Sequence, residues 1–480
     1  MGLAQKITYN TVIQILGRML FLVFSFVSIK VLAKYLGVFG NGELTTIITF
    51  TGFFTVLADL GLSTVATREI SKKPEMMDKI IANSMAIRIY TALITAALCI
   101  GIGFLMPYSL NIKIGLITAT AALLITFVGN IVDVVFQTKL KMQYTVLSDI
   151  AGRFTSLIIV ILAWKYDLGF QFVVLNILVA AIFSILTKFY YARRFVKIRL
   201  EYDYKLWKWL LITAIPLGLV FVINNLYFKV DTLILSLLKD SSQVGLYGVS
   251  YKVLETTLFV GVFLSNAVVP ILSKDIIDNR PRASMLIKTS LEALIALAMP
   301  IVAFILIAPD RIIRFLATQE FVQAQNALRW LALAIGLIYI NVMLGQILIA
   351  ADRRKILVWT SIGILLFNIA INLLLIPHFS YFGAAFTTFL SELVIFGYSL
   401  YFSQKSIRFS VNWFRIFKIL ISAGIMSVVF YITSRLNLHI IIIGLTGLLA
   451  YCLSAYVLRV ADRDLVLSLI SNRDENPSHL

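Results

Sequence analysis

The sequence has little cysteine, little histidine and few charged residues. Of its 480 residues, two are cysteines, three are histidines, and 14% are Asp, Glu, Lys or Arg. Cys99 and Cys452 each lie in an apolar stretch, so we predict neither a disulfide framework nor a thiol metal centre. Soluble domains carry about 25% charged residues. The composition therefore excludes a soluble enzyme and a disordered chain, and we expect no metal and no cofactor.

Apolar residues are what the chain has in abundance. They make up 60% of the sequence, and the mean hydropathy is +0.93. A spanning helix needs about 20 consecutive apolar residues. This criterion predicts an all-α polytopic membrane protein with fourteen spans: 11–36, 44–66, 80–106, 114–136, 144–164, 170–192, 209–238, 244–272, 285–308, 327–350, 356–377, 383–402, 415–434 and 439–458.

The formal net charge of +18 has an explanation in the topology. Of the 42 basic residues, we count 28 at the N-terminus and in every second loop, seven in the alternate loops and seven inside spans. Cytoplasmic loops carry an excess of Lys and Arg. We therefore predict an inner (cytoplasmic) cell membrane protein with both termini in the cytoplasm, and the charge needs no nucleic-acid partner.

Weak internal similarity predicts two lobes of six helices. Lys139 and Lys141 follow span four as Arg353 and Lys355 follow span ten, 214 positions later. Six spans is an even number, so the lobes would form a parallel pseudo-twofold repeat, a common transporter plan. The predicted division is an N-lobe (1–192), a cytoplasmic linker (193–208), a C-lobe (209–402), two added helices (403–458) and a cytoplasmic tail (459–480).

Ionisable residues inside the spans indicate a polar cavity. A charge at mid-membrane costs about 2.5–3.5 kcal/mol on insertion scales, so it usually faces a cavity or a partner. Arg18 and Arg88 have no acidic residue three or four positions away, which makes them candidates for binding a substrate. Arg153 and Lys252 are further candidates, although a carboxylate on the same helix face can neutralise each of them.

Those carboxylates belong to two intrahelical spacings. Asp149 lies four residues before Arg153, and Glu255 lies three residues after Lys252. Residues three or four positions apart on a helix are neighbours on its surface. Each pair is thus either part of a binding site or only a neutralised pair within one helix.

Polar side chains also form stripes along several spans, and these add amide candidates to the proposed cavity. Alternatively, the amides serve only to join helices by hydrogen bonds. The stripes are Asn130, Asp133 and Gln137 on span four, Asn224 and Asp231 on span seven, and Ser361, Asn368 and Asn372 on span eleven.

Several ordered stretches resemble one family of membrane proteins. Span two closes with residues 58–63 (ADLGLS), span seven ends with 229–235 (KVDTLIL), and the loop after span ten is 351–355 (ADRRK). Span eleven closes with residues 368–377 (NIAINLLLIP), and 381–385 (YFGAA) follow it. In order and spacing these stretches resemble the polysaccharide transporter, or O-antigen flippase, branch of the multidrug/oligosaccharidyl-lipid/polysaccharide exporter superfamily.

The resemblance implies a function. Members of this branch are expected to turn a polyprenyl-pyrophosphate-linked oligosaccharide from the inner to the outer leaflet by alternating access, for surface polysaccharide biosynthesis. Arginine suits such a cargo because its planar fork pairs bidentately with phosphate oxygens. No covalent step is needed, so the chain is not predicted to be an enzyme. A polysaccharide polymerase and its chain-length machinery are the implied protein partners.

Two other hypotheses about the function of this fold remain open. One is a flippase for lipid II, and the other is a cation-coupled exporter of drugs or organic cations. The chain has no glycine-rich phosphate loop of the Lys-Ser/Thr type, so an ion gradient of H⁺ or Na⁺ is the expected energy source. The carboxylates proposed for ion coupling are Glu255, Asp59 and Asp231.

Overall fold

The structure is a computed structural model that describes residues 3–436 and 439–460. It is 89% helical, and the described residues contain no strand. The predicted tail lies outside the described residues from position 461 onward. The helices are α1 (Leu3–Asp59), α2 (Leu62–Lys72), α3 (Met77–Leu105), α4 (Leu110–Gly129), α5 (Val132–Thr138), α6 (Gln143–Tyr166), α7 (Phe170–Ala192), α8 (Tyr204–Leu238), α9 (Ser241–Asp278), α10 (Arg280–Ile307), α11 (Pro309–Leu316), α12 (Gln325–Ala350), α13 (Arg354–Ser406), α14 (Trp413–Arg435) and α15 (Ile440–Val457).

Two helices are too long to be single spans. Helix α1 has 57 residues and α13 has 53, which correspond to about 86 Å and about 80 Å at 1.5 Å per residue. The hydrocarbon core is only about 30 Å thick. Each helix is broken once, at Gly37 (φ 61°, ψ −170°) and at Ser380 (φ 52°, ψ −137°), so each contains two spans.

This arrangement confirms the predicted fold class. Among the described residues, twelve helical segments are long and apolar enough to cross a membrane. Two of the twelve contain the breaks at Gly37 and Ser380, which gives the fourteen predicted spans. The observed helices overlap every predicted span, and most of them extend a few residues beyond it at one or both ends.

One backbone turn recurs in the two halves of the sequence. Leu140 (φ 54°) follows α5 and Asp352 (φ 56°) follows α12, 212 positions later. In both turns the next residue donates from its backbone N–H to a carbonyl five positions earlier: Lys141 to Phe136 at 2.7 Å and Arg353 to Leu348 at 2.8 Å. This is the helix-ending motif with a left-handed residue at its centre. The correspondence favours an internal repeat, and the lobe boundaries stay a prediction.

The described chain forms two compact units. The first comprises Met1–Val249, Leu316–Gln323 and Ser361–Thr387, and its core includes Ile47, Leu116 and Val174, each at most 1% exposed. The second comprises Ser250–Phe315, Ala324–Thr360 and Thr388–Leu480. Its core includes Phe430 and Ile443, which join the last two helices to α10.

The linker residues hold the start of α8 against α3. The Asp203 carboxylate caps α8 by accepting from the backbone N–H groups of Lys205 and Leu206, and it pairs with Lys79 at 2.8 Å. The bond from Lys79 and these backbone donors lower the pKa of Asp203 below its ordinary value. The Asn83 side chain accepts from the Asp203 backbone N–H at 2.8 Å and from Trp207 Nε1 at 3.0 Å. These bonds fix where α8 enters the first unit.

The charge pattern makes a testable topology prediction. In a background with Cys99→Ala and Cys452→Ala, a cysteine at exposed position 111 should react with a membrane-impermeant thiol reagent in sealed cells. A cysteine at exposed position 280 should react only after the membrane is permeabilised, because the positive-inside bias puts that loop in the cytoplasm. Labelling of position 280 from outside would show that the orientation is reversed.

Candidate functional site

A cavity of about 410 Å³ lies within the first unit, among helices α1 to α5 and α8. Its wall combines charged, amide, hydroxyl and aromatic side chains. The lining residues are Thr55, Asp59, Gly61, Ser63, Arg88, Phe127, Asn130, Asp133, Val134, Gln137 and Phe221. Pockets that bind small ligands commonly measure about 300–1,000 Å³, so the cavity has the size of a binding site.

Two interrupted helices meet at this cavity. Helix α1 ends at Asp59, and Leu60 (φ 44°) and Gly61 (φ 79°) adopt left-handed conformations before α2 begins. Helix α4 ends at Gly129, and α5 begins at Val132. Non-helical backbone at membrane depth is tolerated where it is buried in protein or lines a cavity, and discontinuous helices build many transporter sites.

Helix α8 packs directly on the first interruption. A Cβ atom placed on Gly218 would lie 2.3 Å from the Leu60 carbonyl carbon, so only glycine allows this approach. Phe221 follows three residues later and lines the cavity. The glycine thus sets how closely α8 closes this wall.

Arg88 connects the two interruptions. Its side chain is 1% exposed, and Nη2 donates to the Asp59 carboxylate and to Ser63 Oγ. Nη1 donates to the Phe127 carbonyl at 2.8 Å, and the guanidinium lies 4.7 Å from the Phe127 ring centroid. The last carbonyls of a helix have no partner within the helix. Arg88 therefore satisfies the end of α4 and the carboxylate at the end of α1 at once.

One donor of this guanidinium is enclosed by the protein. Arg88 Nε is buried and has no hydrogen-bond partner among the described residues. An unsatisfied buried donor costs about 1–3 kcal/mol.

A second buried cation, Lys188, is shared by two carboxylates. Its side chain is 4% exposed, and its ammonium group lies 2.7 Å from Asp133 and 3.4 Å from Asp149. It also donates to Asn130 Oδ1 at 3.1 Å. The predicted stripe of Asn130, Asp133 and Gln137 does line the cavity, although α4 and α5 carry it as two separate helices.

Arg18 and Arg153 both lie over the aromatic ring of Phe21. Their guanidinium carbons lie 4.8 Å and 4.1 Å from the centroid of Phe21. Arg18 is on α1 and Arg153 is on α6, and the two charges are close enough to interact electrostatically. Two guanidinium forks at one place inside a membrane span form a candidate anion site.

The remaining predicted residues lie elsewhere. Lys252 and Glu255 pair on α9 at 2.9 Å, with about half and a third of their side chains exposed. Asn372 donates to Asn368 at 2.8 Å, and both are buried. Asn224 is exposed.

Asp231 is the most buried of the three carboxylates proposed for ion coupling. Its side chain is 2% exposed. It accepts hydrogen bonds from the Tyr247 hydroxyl and from the Thr232 backbone N–H, the latter at 2.7 Å.

The structure contains two ion pairs between helices that spacing along one helix does not predict. Asp149 forms an ion pair with Lys188 of α7, and Arg153 of the same helix lies over Phe21 while still close enough to Asp149 to attract it. Arg88, which has no acidic neighbour along its own helix, pairs with Asp59 of another helix. The sequence does not single out Lys188 as a site residue, because it lies four residues from the predicted end of span six. The sequence signal for a basic residue nearby is Asp133 on span four, which has no basic residue three or four positions away.

Comparison with known proteins gives related results at the levels of sequence and fold. A family model described as "Polysaccharide biosynthesis protein" matches residues 3–275, and the MatE model matches residues 216–374. Sequence comparison with curated proteins finds no significant match.

Solved structures share the fold at low sequence identity. A lipid II flippase MurJ in an inward closed conformation has a TM-score of 0.76 and 18% identity, with 96% of this chain and all of that chain covered. An inward-facing multidrug resistance MATE family transporter of the MOP superfamily has a TM-score of 0.67 and 12% identity, with 82% and 98% covered. A MOP superfamily transporter from Pyrococcus furiosus has a TM-score of 0.57 and 13% identity, with 84% and 96% covered.

The fold and the broken-helix cavity define a polytopic protein with the architecture of MOP superfamily transporters. Because the first family model covers more than half of its 480 residues, the chain belongs to the polysaccharide biosynthesis protein family. The resemblance to that superfamily is thereby confirmed.

The close approach of α8 to the Leu60 backbone leads to the second testable prediction. Gly218→Ala should lower the melting temperature of the purified protein by several degrees, because its methyl group must displace the Leu60 backbone, and overpacking costs about 1–3 kcal/mol. Gly52→Ala is the matched control on α1, since its methyl group would meet no described atom within 4 Å. That variant should be neutral or slightly stabilising, as alanine favours a helix by about 1 kcal/mol. Equal melting temperatures for the two variants would contradict the packing.

Proposed function

We propose that this protein is a flippase that moves a polyprenyl-pyrophosphate-linked oligosaccharide from the inner to the outer leaflet for surface polysaccharide biosynthesis. Membership of the polysaccharide biosynthesis family and a MurJ-like fold support the class of cargo. The observation that carries the proposal is the pair formed by Arg18 and Arg153 on Phe21.

The chemistry of the arginine pair suits a pyrophosphate. Each guanidinium presents N–H donors in a rigid fork that matches two phosphate oxygens. Phe21 contacts both cations through its ring face, which limits their freedom without consuming their hydrogen bonds. Two forks can therefore bind the two phosphoryl groups of a pyrophosphate in a region where water is scarce.

The arginine pair disfavours an exporter of organic cations. A cationic cargo would meet two guanidinium groups at one ring, and like charges brought together in a low-dielectric region repel strongly. Asp149 is close enough to Arg153 to attract it, but the same carboxylate also pairs with Lys188 at 3.4 Å and is shared between two cations. The site therefore favours an anionic headgroup.

Transport in this proposal consists of binding and conformational change. The sugar and pyrophosphate cross inside the protein, and the lipid tail stays in the bilayer. No bond is made or broken, so direction must come from an ion gradient, from the membrane potential or from consumption of the product outside. A ligand shifts a conformational equilibrium only through different affinities for the two states.

Among the three coupling candidates, we propose Asp231. The side chains of Asp59 and Glu255 are about a third exposed. Asp231 is buried, and the free energy of a buried charge depends strongly on whether water or a counterion reaches it. Alternating access would supply that change.

The arginine pair gives the third prediction. In proteoliposomes, Arg18→Ala and Arg153→Ala should each reduce flipping of the lipid-linked oligosaccharide more than tenfold, and Arg→Lys should restore only part of it because the fork is lost. Lys34→Ala is the matched control. Lys34 of α1 lies 4.7 Å from the ring of Trp164 on α6, so this substitution removes a cation–aromatic contact between the same two helices and should leave flipping unchanged. Wild-type flipping by both arginine variants would remove the pair from the mechanism.

Ion coupling gives the fourth prediction. Asp231→Asn should insert and fold normally but lose the dependence of flipping on an imposed proton or sodium gradient, while Glu255→Gln should keep it. Initial rates in vesicles with and without each gradient measure the difference. A gradient response that survives in folded Asp231→Asn, or disappears in Glu255→Gln, would contradict the assignment.

A further inference from the structure

The cavity that Arg88 organises is chemically different from the arginine pair. We infer that it is a sugar-binding subsite for an uncharged sugar residue of the cargo, separate from the place that binds pyrophosphate. This inference rests on the proposed function and adds to it a second contact for the same substrate.

The charges of the cavity are paired within the protein. Asp59 is bonded to Arg88, and Asp133 lies 2.7 Å from the Lys188 ammonium, which Asp149 approaches to 3.4 Å. Each of the two carboxylates that line the cavity therefore has a cation partner within the protein. A phosphate would face both carboxylates, and a lipophilic cation would have to compete with buried internal cations for them. A polar but uncharged ligand avoids both costs.

The hydrogen-bonding groups match a polyol. A sugar hydroxyl both donates and accepts, and the wall offers both functions. The oxygens of Asp59, Asp133 and Gln137 can accept, and the amide groups of Asn130 and Gln137 can donate.

The aromatic part of the wall and the volume of the cavity also fit a sugar ring. Phe221 is an apolar surface on which the C–H face of a pyranose can pack. One face of Phe127 is covered by the Arg88 guanidinium, so Phe221 is the freer of the two rings. The volume of about 410 Å³ is at the small end of ligand pockets, which favours one or two sugar residues over a whole repeat unit.

Binding experiments with two lipids separate this subsite from the pyrophosphate site. The probes are the lipid-linked repeat unit extracted from the source organism and the same polyprenyl pyrophosphate without sugar, with tetraphenylphosphonium as the organic cation. Their Kd values are measured with the full-length protein in detergent. Wild-type protein should bind the glycosylated lipid at least tenfold more tightly than the bare carrier.

The test variant is the double change Thr55→Val and Gln137→Leu. Both substitutions keep the side-chain size, and neither residue contacts Arg88 or Lys188 through a described hydrogen bond. The double variant should lose about tenfold in affinity for the glycosylated lipid and bind the bare carrier as wild type does. Arg18→Ala should weaken both lipids alike, because it removes the pyrophosphate contact.

A matched control makes the same two chemical changes elsewhere. Thr187 donates to a carbonyl of its own helix, as Thr55 does, and Gln171 donates to the Asn111 carbonyl. Thr187→Val combined with Gln171→Leu should bind both lipids as wild type does. Melting temperatures and elution profiles confirm that each variant is folded.

Each contrary outcome has a defined meaning. If wild type binds both lipids equally, or if the folded double variant keeps full affinity for the glycosylated lipid, the sugar subsite is wrong and the flippase proposal stands. Tetraphenylphosphonium binding that the double variant loses would make the cavity an organic-cation site instead. If wild type binds neither lipid, the proposed function fails and the sugar assignment fails with it.

Discussion

One buried guanidinium holds the candidate site together. Arg88 bonds the carboxylate at the end of α1 and the Phe127 carbonyl in the last turn of α4. Polar groups that lack partners in a membrane interior cost several kcal/mol each, and breaking a buried ion pair by removing one partner costs about 3–5 kcal/mol. Arg88 thereby joins the two helix ends that flank the interruptions at Leu60–Gly61 and Asn130–Ile131. The cavity depends on that constraint.

Much of the fold could be predicted from the sequence, but the pairings of the site could not. The fourteen spans follow from segment length and hydropathy, since the bilayer sets both. Spacing along one helix finds neighbours only on that helix. It therefore relates Asp149 to Arg153, but it cannot show that Asp59 pairs with Arg88 on another helix. The break at Ser380 also had no clear signal, because a serine with positive φ is unusual and is supported here by a bond to Gln243 at 2.8 Å.

The first unit contains two polar places with different chemistry. At Phe21, two guanidinium groups share one ring, and this is the place that we propose for the pyrophosphate. At the cavity, the two lining carboxylates are each bonded to a cation of the protein, Arg88 or Lys188. A lipid-linked oligosaccharide has both parts, a charged pyrophosphate and uncharged sugars. The proposed cargo is therefore the kind of molecule that would use both places.

The most direct measurement is the lipid-linked oligosaccharide content of cells that lack this protein. Deletion of the gene should abolish the surface polysaccharide and cause the polyprenyl-pyrophosphate-linked repeat unit to accumulate, as measured by mass spectrometry of extracted lipids. Expression of the wild-type protein should reverse both effects. Normal surface polysaccharide with no accumulated lipid-linked intermediate, in cells that have no second copy of the gene, would contradict the flippase function.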